Sequence, residues 1–342
     1  MTRSAIKFLR SSEASGALLV MAHPRRLGGN RHPPMKRKSI HIAVLLFAIS
    51  RLTALASDYT FQLVAAPTYT HSWGYGINNS GDIVLSAGSN EASFRRDASG
   101  TFTEIFYSGH TPTVALGINN LGVIVGDAYN PPTDSYIGFM RAADGTFSNF
   151  TYPGAVGPNG GMQANDINDS GVIVGGYAVS SSDSGAFIRL SDGQFRTFRF
   201  MDAPNTIAYG INNAGDISGQ SSAGSFLRYA DGTFLSIAVA GASETQAFGI
   251  NNSGQVVGLY VDNGVHGFVR SSSGIFSFFD VPGAENTQPW SINDSGQVVG
   301  VTLVDGRNYA FIATPVPEPS TLALLAIGGV AIGFIVRRRE TM

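Results

Sequence analysis

The chain has 342 residues, with 22 Lys and Arg against 24 Asp and Glu, 42 Gly, 13% charged residues and no Cys. The lack of Cys excludes disulfides, thiolate metal sites and a Cys nucleophile. The near-neutral total hides an asymmetry: residues 57–314 carry nine Arg, no Lys and 21 acidic residues, a net charge of −12, which argues against a surface that neutralises nucleic-acid or lipid phosphate.

Residues 1–34 contain scattered Arg, Pro and Gly with no sustained period, as in a disordered leader or a start assigned too early. Met35 is followed by Lys36-Arg37-Lys38, an apolar stretch over 42–49 and then Ala54-Leu55-Ala56. A basic segment, a short apolar segment and a small-x-small site predict a signal peptide over 35–56, cleaved between Ala56 and Ser57. The apolar stretch is too short to span a bilayer.

From here the chain repeats. Gly76-Ile77-Asn78-Asn79-Ser80-Gly81 recurs with its Ile at 118, 167, 211, 250 and 292, giving spacings of 41, 49, 44, 39 and 42. Such periods belong to propeller blades, four-stranded sheets that cannot bury both faces alone. A first strand ends in the Ile-Asn pair. Large apolar residues precede it by two positions (Tyr75, Leu116, Tyr209, Phe248, Trp290, with Asn165 the exception), which reads as one core face. The Asn-Asn/Asp-x-Gly tetrad predicts a hairpin turn.

A second strand follows, and Gly126, Gly175, Gly219, Gly258 and Gly300 come directly after it, with Leu85 in the first copy. The third strand pairs an aromatic with an Arg two residues on: Phe94 with Arg96, Phe139 with Arg141, Phe187 with Arg189, Phe226 with Arg228, and Phe268 with Arg270. Their recurrence suits pairing with nearby turn carboxylates. Asp-Gly turns then lead into a fourth strand.

The last repeat lacks its fourth strand, while residues 59–67 resemble a fourth strand without a third before it. Joining them completes a sixth blade and hides two sheet edges. The expected fold over 57–314 is therefore all-β, a six-bladed β-propeller of four-stranded blades closed by its N-terminal strand. An open solenoid would need capping segments.

Residues 315–342 begin with Pro315, Val316, Pro317, Glu318 and Pro319, continue through an apolar run over 322–336 and end in Arg337, Arg338 and Arg339. Pro makes the first part an extended linker. The apolar run is close to the ~17 residues of a short transmembrane helix, and the arginines place the repeats outside. This tail resembles the PEP-CTERM sorting signal of Gram-negative bacteria. That resemblance implies an exosortase-type processing enzyme as partner and a link to exopolysaccharide and biofilm. The repeats resemble the extracellular HAF-repeat family, whose Gly-Ile-Asn-Asn-x-Gly core they share, although Gly185-Ala186-Phe187 and His266-Gly267-Phe268 stand where His-Ala-Phe is expected. Neither resemblance carries a catalytic residue.

No residue set announces catalysis, a metal or a cofactor. His71, His110 and His266 fall in different repeats and read as solvated loop residues. Asp166-Ile167-Asn168-Asp169-Ser170-Gly171 invites comparison with calcium loops, but Gly opens four of the six copies and a turn role explains them all. Tyr129, Tyr177 and Tyr260, after the second strands, either stack on sugars at one end of the ring or pack between blades. The resulting expectation is an exported structural or binding protein of the cell surface or exopolysaccharide matrix. A propeller lectin and a polysaccharide-active enzyme are the alternatives.

Overall fold

The computed structural model describes residues 59–88, 92–155, 161–178 and 184–316, all within the unit Ser57–Met342. The signal segment with its Ala56–Ser57 junction, Pro317, Glu318, Pro319, the tail helix and Arg337 to Arg339 lie outside the described residues.

After β1 (Tyr59–Val64), the chain forms six successive groups of strands. They are β2 (Ser72–Ile77), β3 (Ile83–Ala87), β4 (Ala92–Arg96) and β5 (Phe102–Ile105), then β6 (Thr113–Ile118), β7 (Ile124–Asn130), β8 (Ser135–Arg141) and β9 (Phe147–Phe150). Next come β10 (Gly161–Ile167), β11 (Ile173–Ala178), β12 (Ser184–Arg189) and β13 (Phe195–Phe198), followed by β14 (Ile207–Ile211), β15 (Ile217–Ser221), β16 (Gly224–Arg228) and β17 (Phe234–Ile237). The last two groups are β18 (Glu244–Ile250), β19 (Val256–Val261), β20 (Val265–Arg270) and β21 (Phe276–Phe279), and β22 (Asn286–Ile292), β23 (Val298–Val304) and β24 (Arg307–Pro315). Among the described residues the only helical pieces are two short 3-10 turns, Pro131–Thr133 and Phe200–Asp202.

Within each group neighbouring strands pair antiparallel, and the groups β6 to β9 and β10 to β13 are joined by one parallel bridge between Gly161 and Tyr136. The last group receives its fourth strand from the other end of the chain. β1 runs antiparallel to β24 from Tyr59 opposite Pro315 to Val64 opposite Ala310. Pro315, expected to open the linker, is thus the last residue of a strand.

Each first strand touches the next, and β22 touches β2. The apolar core lies between sheets rather than within them. One cluster joins Val84 to Ile124 and Phe139, and another joins Val125 to Ile173 and Phe187. A third joins Val299 and Ile312 of the last repeat to Ile83 and Phe94 of the first.

The third-strand Phe anchors these clusters: Phe139, Phe187, Phe226, Phe268 and Phe311 are fully buried. Each lies opposite the second-strand Gly, as Phe139 lies opposite Gly126. A Cβ at Gly126 would meet the Phe139 ring at 2.9 Å and collide with the Val114 carbonyl oxygen. In the first copy Leu85 stands at this place, opposite Gly74 instead of the Ala found opposite Gly126.

One expectation is corrected. The residue two before each Ile does not share a face with it, because all six first strands carry a β-bulge there. The extra residue breaks the two-residue alternation. Tyr75, Tyr209, Phe248 and Trp290 therefore meet one another across repeats, with Phe248 stacked on Trp290 at 4.3 Å and Tyr209 reaching Trp290 at 6.0 Å although a whole repeat lies between them in the chain.

Candidate functional site

The six first strands lie side by side, each touching the next and β22 touching β2, along an axis whose two ends differ in chemistry. At the end where they turn into the second strands, both Asn positions do more than shape a hairpin. The first Asn accepts two backbone N–H groups of its own turn through Oδ1, as Asn251 does from Ser253 at 3.1 Å and Gln255 at 3.0 Å. Its Nδ2 donates to the backbone carbonyl of the next repeat: Asn78 to Asn119, Asn119 to Asn168, Asn168 to Asn212, Asn212 to Asn251, Asn251 to Asn293, and Asn293 back to Asn78 at 3.0 Å. Asp would cap the turn equally well but could not donate.

The second position makes a parallel cycle. The backbone N–H of Asn79 donates to Asn120 Oδ1 and so on round to Asp294, whose N–H donates to Asn79 Oδ1 at 2.8 Å. Asp169 and Asp294 stand three repeats apart, so every Asn borders one of them. Asp169 Oδ2 accepts Nδ2 of Asn120 and Asn213, and Asp294 Oδ2 accepts Nδ2 of Asn79 and Asn252, at 2.6–2.9 Å. Burial pushes both carboxyls up, but these amide donors outweigh it and leave both below the usual carboxylate range.

A cavity of about 50 Å³ lies at this end, lined by the Ile-Asn-Asn/Asp residues of all six repeats and by Asp166. Asp166 stands where four other copies have Gly. At Gly117 a Cβ would meet the Asp166 backbone at 2.7 Å, a measure of how closely the first strands approach. Burial lifts the Asp166 carboxyl to about 7 against the pull of the Ile211 and Ile167 N–H groups. The oxygens a calcium loop would use over 166–171 are acceptors already: both of Asp166, both of Asp169, and Asn168 Oδ1.

The opposite end is less satisfied. Second strands run toward it, and β7 brings in Asp127, a 7% exposed carboxylate whose Oδ1 has no hydrogen-bond partner. Burial lifts this carboxyl to about 7, with the Gln163 side chain and its own backbone N–H pulling the other way. Beside it the Tyr75 hydroxyl is raised by burial, held back by its hydrogen bond with Ser86 and raised further by the Asp127 charge. Tyr75 lies 5.5 Å from Trp290, whose Nε1 is buried and also without a partner. Tyr209 is raised by burial. Gln163, Gln246 and Gln288 occupy the same position of their first strands, four residues before the Ile, and Gln163 is exposed.

The other candidate residues are dispersed. Tyr129, Tyr177 and Tyr260 lie in three different repeats near this second end. Tyr129 donates to Asp134 at 2.7 Å, Tyr177 stacks on Tyr152 of the preceding repeat at 4.1 Å, and Tyr260 tilts against His266 and Phe278. None touches another of the three.

Arg141, Arg189 and Arg228 feel the charges of the turn carboxylates Asp144, Asp192 and Asp231, but aromatic rings and backbone carbonyls provide the closer contacts of several of these arginines. Arg189 lies 4.6 Å over the Phe150 ring and Arg228 lies 5.2 Å over the Phe198 ring, each Phe belonging to the preceding repeat. Arg96 and Arg270 donate to backbone carbonyls. The delocalised guanidinium stacks on an aromatic face, and burial lowers the pKa of Arg189 and Arg228. It is Arg95, one residue earlier than expected, that pairs with Asp82 at 2.7 Å. The histidines are engaged rather than free in solvent. His71 Nδ1 accepts from Asn308, His110 packs on Tyr107 at 4.4 Å, and His266 meets Asp280 at 2.9 Å.

Sequence reasoning missed the amide bridges between repeats and the buried Asp127. The first had a signal, since the first Asn never varies while the second alternates with Asp. The second had one too, because Asp127 is a lone carboxylate in a strand whose counterparts are Ser86, Gly176, Gln220, Leu259 and Val301.

Propeller-like solved structures resemble the chain. A gluconolactonase from Xanthomonas campestris aligns with TM-score 0.50 at 11% identity, covering 78% of this chain and 93% of that one. A luciferin-regenerating enzyme aligns with TM-score 0.51 at 10% identity, covering 75% and 96%. At such identity the likeness concerns the fold alone. No curated protein matches by sequence. Residues 315–339 match the PEP-CTERM protein-sorting motif, which indicates export and sorting to the cell envelope through an exosortase.

Proposed function

We propose that the six groups of strands are blades of one closed β-propeller of the extracellular HAF-repeat kind, exported after cleavage between Ala56 and Ser57. Its tail helix over 322–336 anchors the precursor in the inner membrane with Arg337 to Arg339 inside, until an exosortase-type enzyme processes it at Val316, Pro317, Glu318 and Pro319. The product is a binding protein of the cell surface or exopolysaccharide matrix. Closure is supported by the two hydrogen-bond cycles and by the apolar cluster shared by the first and last repeats.

The observation that carries the reading is the sorting motif starting at Pro315, the residue that ends β24 opposite Tyr59. A folded, seam-closed unit is followed at once by an address. Replacing Pro317, Glu318 and Pro319 with Ala should leave an unprocessed precursor in the membrane fraction, and normal maturation of that variant would refute the assignment.

A polysaccharide-active enzyme is the second reading, favoured by an Asp127 carboxyl poised near neutrality. Glycoside hydrolysis uses two carboxylates about 5–9.5 Å apart. What lifts Asp127 is burial, with no neighbouring carboxylate contributing, so binding fits better. Release of reducing sugar from exopolysaccharide that disappears in Asp127→Asn would reverse this preference. Tyr129, Tyr177 and Tyr260 then serve as peripheral glycan contacts, to be tested by Tyr177→Ala and Tyr260→Ala on a glycan array.

A further inference from the structure

We propose that the end of the axis opposite the asparagine cycles binds a neutral saccharide, held between the Asp127 carboxyl, the Trp290 indole N–H and the aromatic side chains of Tyr75 and Tyr209. The proposal deepens the envelope reading and rests on it for the origin of the glycan. The chemistry of the site stands on the residues themselves.

Two buried polar groups of opposite sense are left over there. Asp127 Oδ1 is an acceptor without a donor, and Trp290 Nε1 is a donor without an acceptor. They belong to one locality, because Tyr75 contacts the Trp290 ring at 5.5 Å and feels the Asp127 charge. Leaving either without a partner is unfavourable, because each has given up its hydration. An occupant that satisfies both must offer a donor and an acceptor close together, as saccharide hydroxyls do.

Other ligand classes fit less well. A quaternary ammonium would suit the aromatic cluster but gives Trp290 nothing to donate to. An anion would face Asp127 on strands β2, β6, β7, β10, β14, β18 and β22, which carry no Lys or Arg. An apolar molecule would leave both groups bare. The half-buried Tyr75, Tyr209 and Trp290 offer ring faces on which sugar C–H groups stack, and Gln163 adds an amide beside Asp127.

The chain provides its own reporter. Its two Trp are Trp73 and Trp290, both on first strands, so intrinsic fluorescence reads the site. Purified full-length protein in detergent is titrated with cellobiose, maltotriose, xylobiose, lactose and N,N′-diacetylchitobiose, with choline chloride and glucuronate as competing classes. At least one neutral sugar should shift the emission saturably. Asp127→Ala should weaken that binding at least tenfold, while Leu121→Ser, at the other end, leaves it unchanged. The isosteric Asp127→Asn covers the case in which the Ala variant does not fold, and Trp73→Phe assigns the signal to Trp290.

Silence from every neutral sugar overturns the proposal. So does a response that both Asp127 variants retain at the parent's strength, or an Asp127-dependent response to choline or glucuronate alone. Sugar binding by a protein whose tail variant matures normally would sink the export reading and leave the site standing. The converse pattern would sink the site alone.

Discussion

The two ends of the axis are built from the same six strands and differ in how completely their polar groups are paired. At the asparagine end, side-chain amides and carboxylates form two cycles in which each turn is tied to the next. At the other end the repeats diverge, and a carboxylate and an indole N–H are buried without partners. Pairing that repeats in every copy is architecture. Pairing left open in single copies, within a wall held rigid elsewhere, marks where a ligand can contribute what the protein does not.

The largest effect should come from breaking the wall common to both ends. Gly258→Ala puts a methyl into the Gln246 carbonyl oxygen and 2.8 Å from the Phe268 ring. It should cost about 3 kcal/mol, seen as a lower urea midpoint with both ends affected. Asn251→Leu strikes the paired end alone, removing two turn-capping acceptor bonds and the bridge to Asn293. A loss of about 2–3 kcal/mol is expected, with saccharide-induced fluorescence changes intact. Equal loss of stability and binding would show that the ends are not separable.

Asp127→Asn should do the reverse. The folded-state carboxyl sits at about 7, above its unfolded value near 4, so the folded state holds its proton more tightly. The resulting stability is present at low pH and is lost as pH rises from about 4 to about 7. The Asn variant should therefore be more stable than the parent at pH 8, by roughly 2 kcal/mol, and no more stable at pH 4. Urea titrations at the two pH values check this, and a pH-independent difference would contradict it. The smallest effect belongs to Asp169→Asn. Its lowered carboxyl contributes stability above the unfolded value that disappears as pH falls through the folded one. The variant should flatten the acid limb of the stability profile by about 0.5 kcal/mol.

Much of this fold was legible in the residues. The tetrads set the turns, and the Asp-Gly pairs set the outer hairpins. The uneven ends of the array pointed to the β1–β24 pairing. What stayed hidden was whatever depends on neighbours in space. A turn by itself accounts for Asn78 or Asn251, so the donor half of each amide had no visible purpose until the next carbonyl stood opposite it. Bulges at Tyr75 and Trp290 turn aromatics that read as sheet core toward other repeats, and strict alternation contains no hint of them. Arg189 feels Asp192 of its own hairpin, as the spacing suggests, while the Phe150 ring it stacks on belongs to another repeat.

The seam also has a mechanical meaning. β24 is an inner strand, flanked by β23 on one side and β1 on the other, and the chain leaves it directly at Val316. Tension applied through that exit runs along β24 and loads both ladders at once, so their hydrogen bonds must yield together rather than unzip singly. A protein tethered by its C-terminal end in flow would thus be pulled on at one of its most strongly gripped strands.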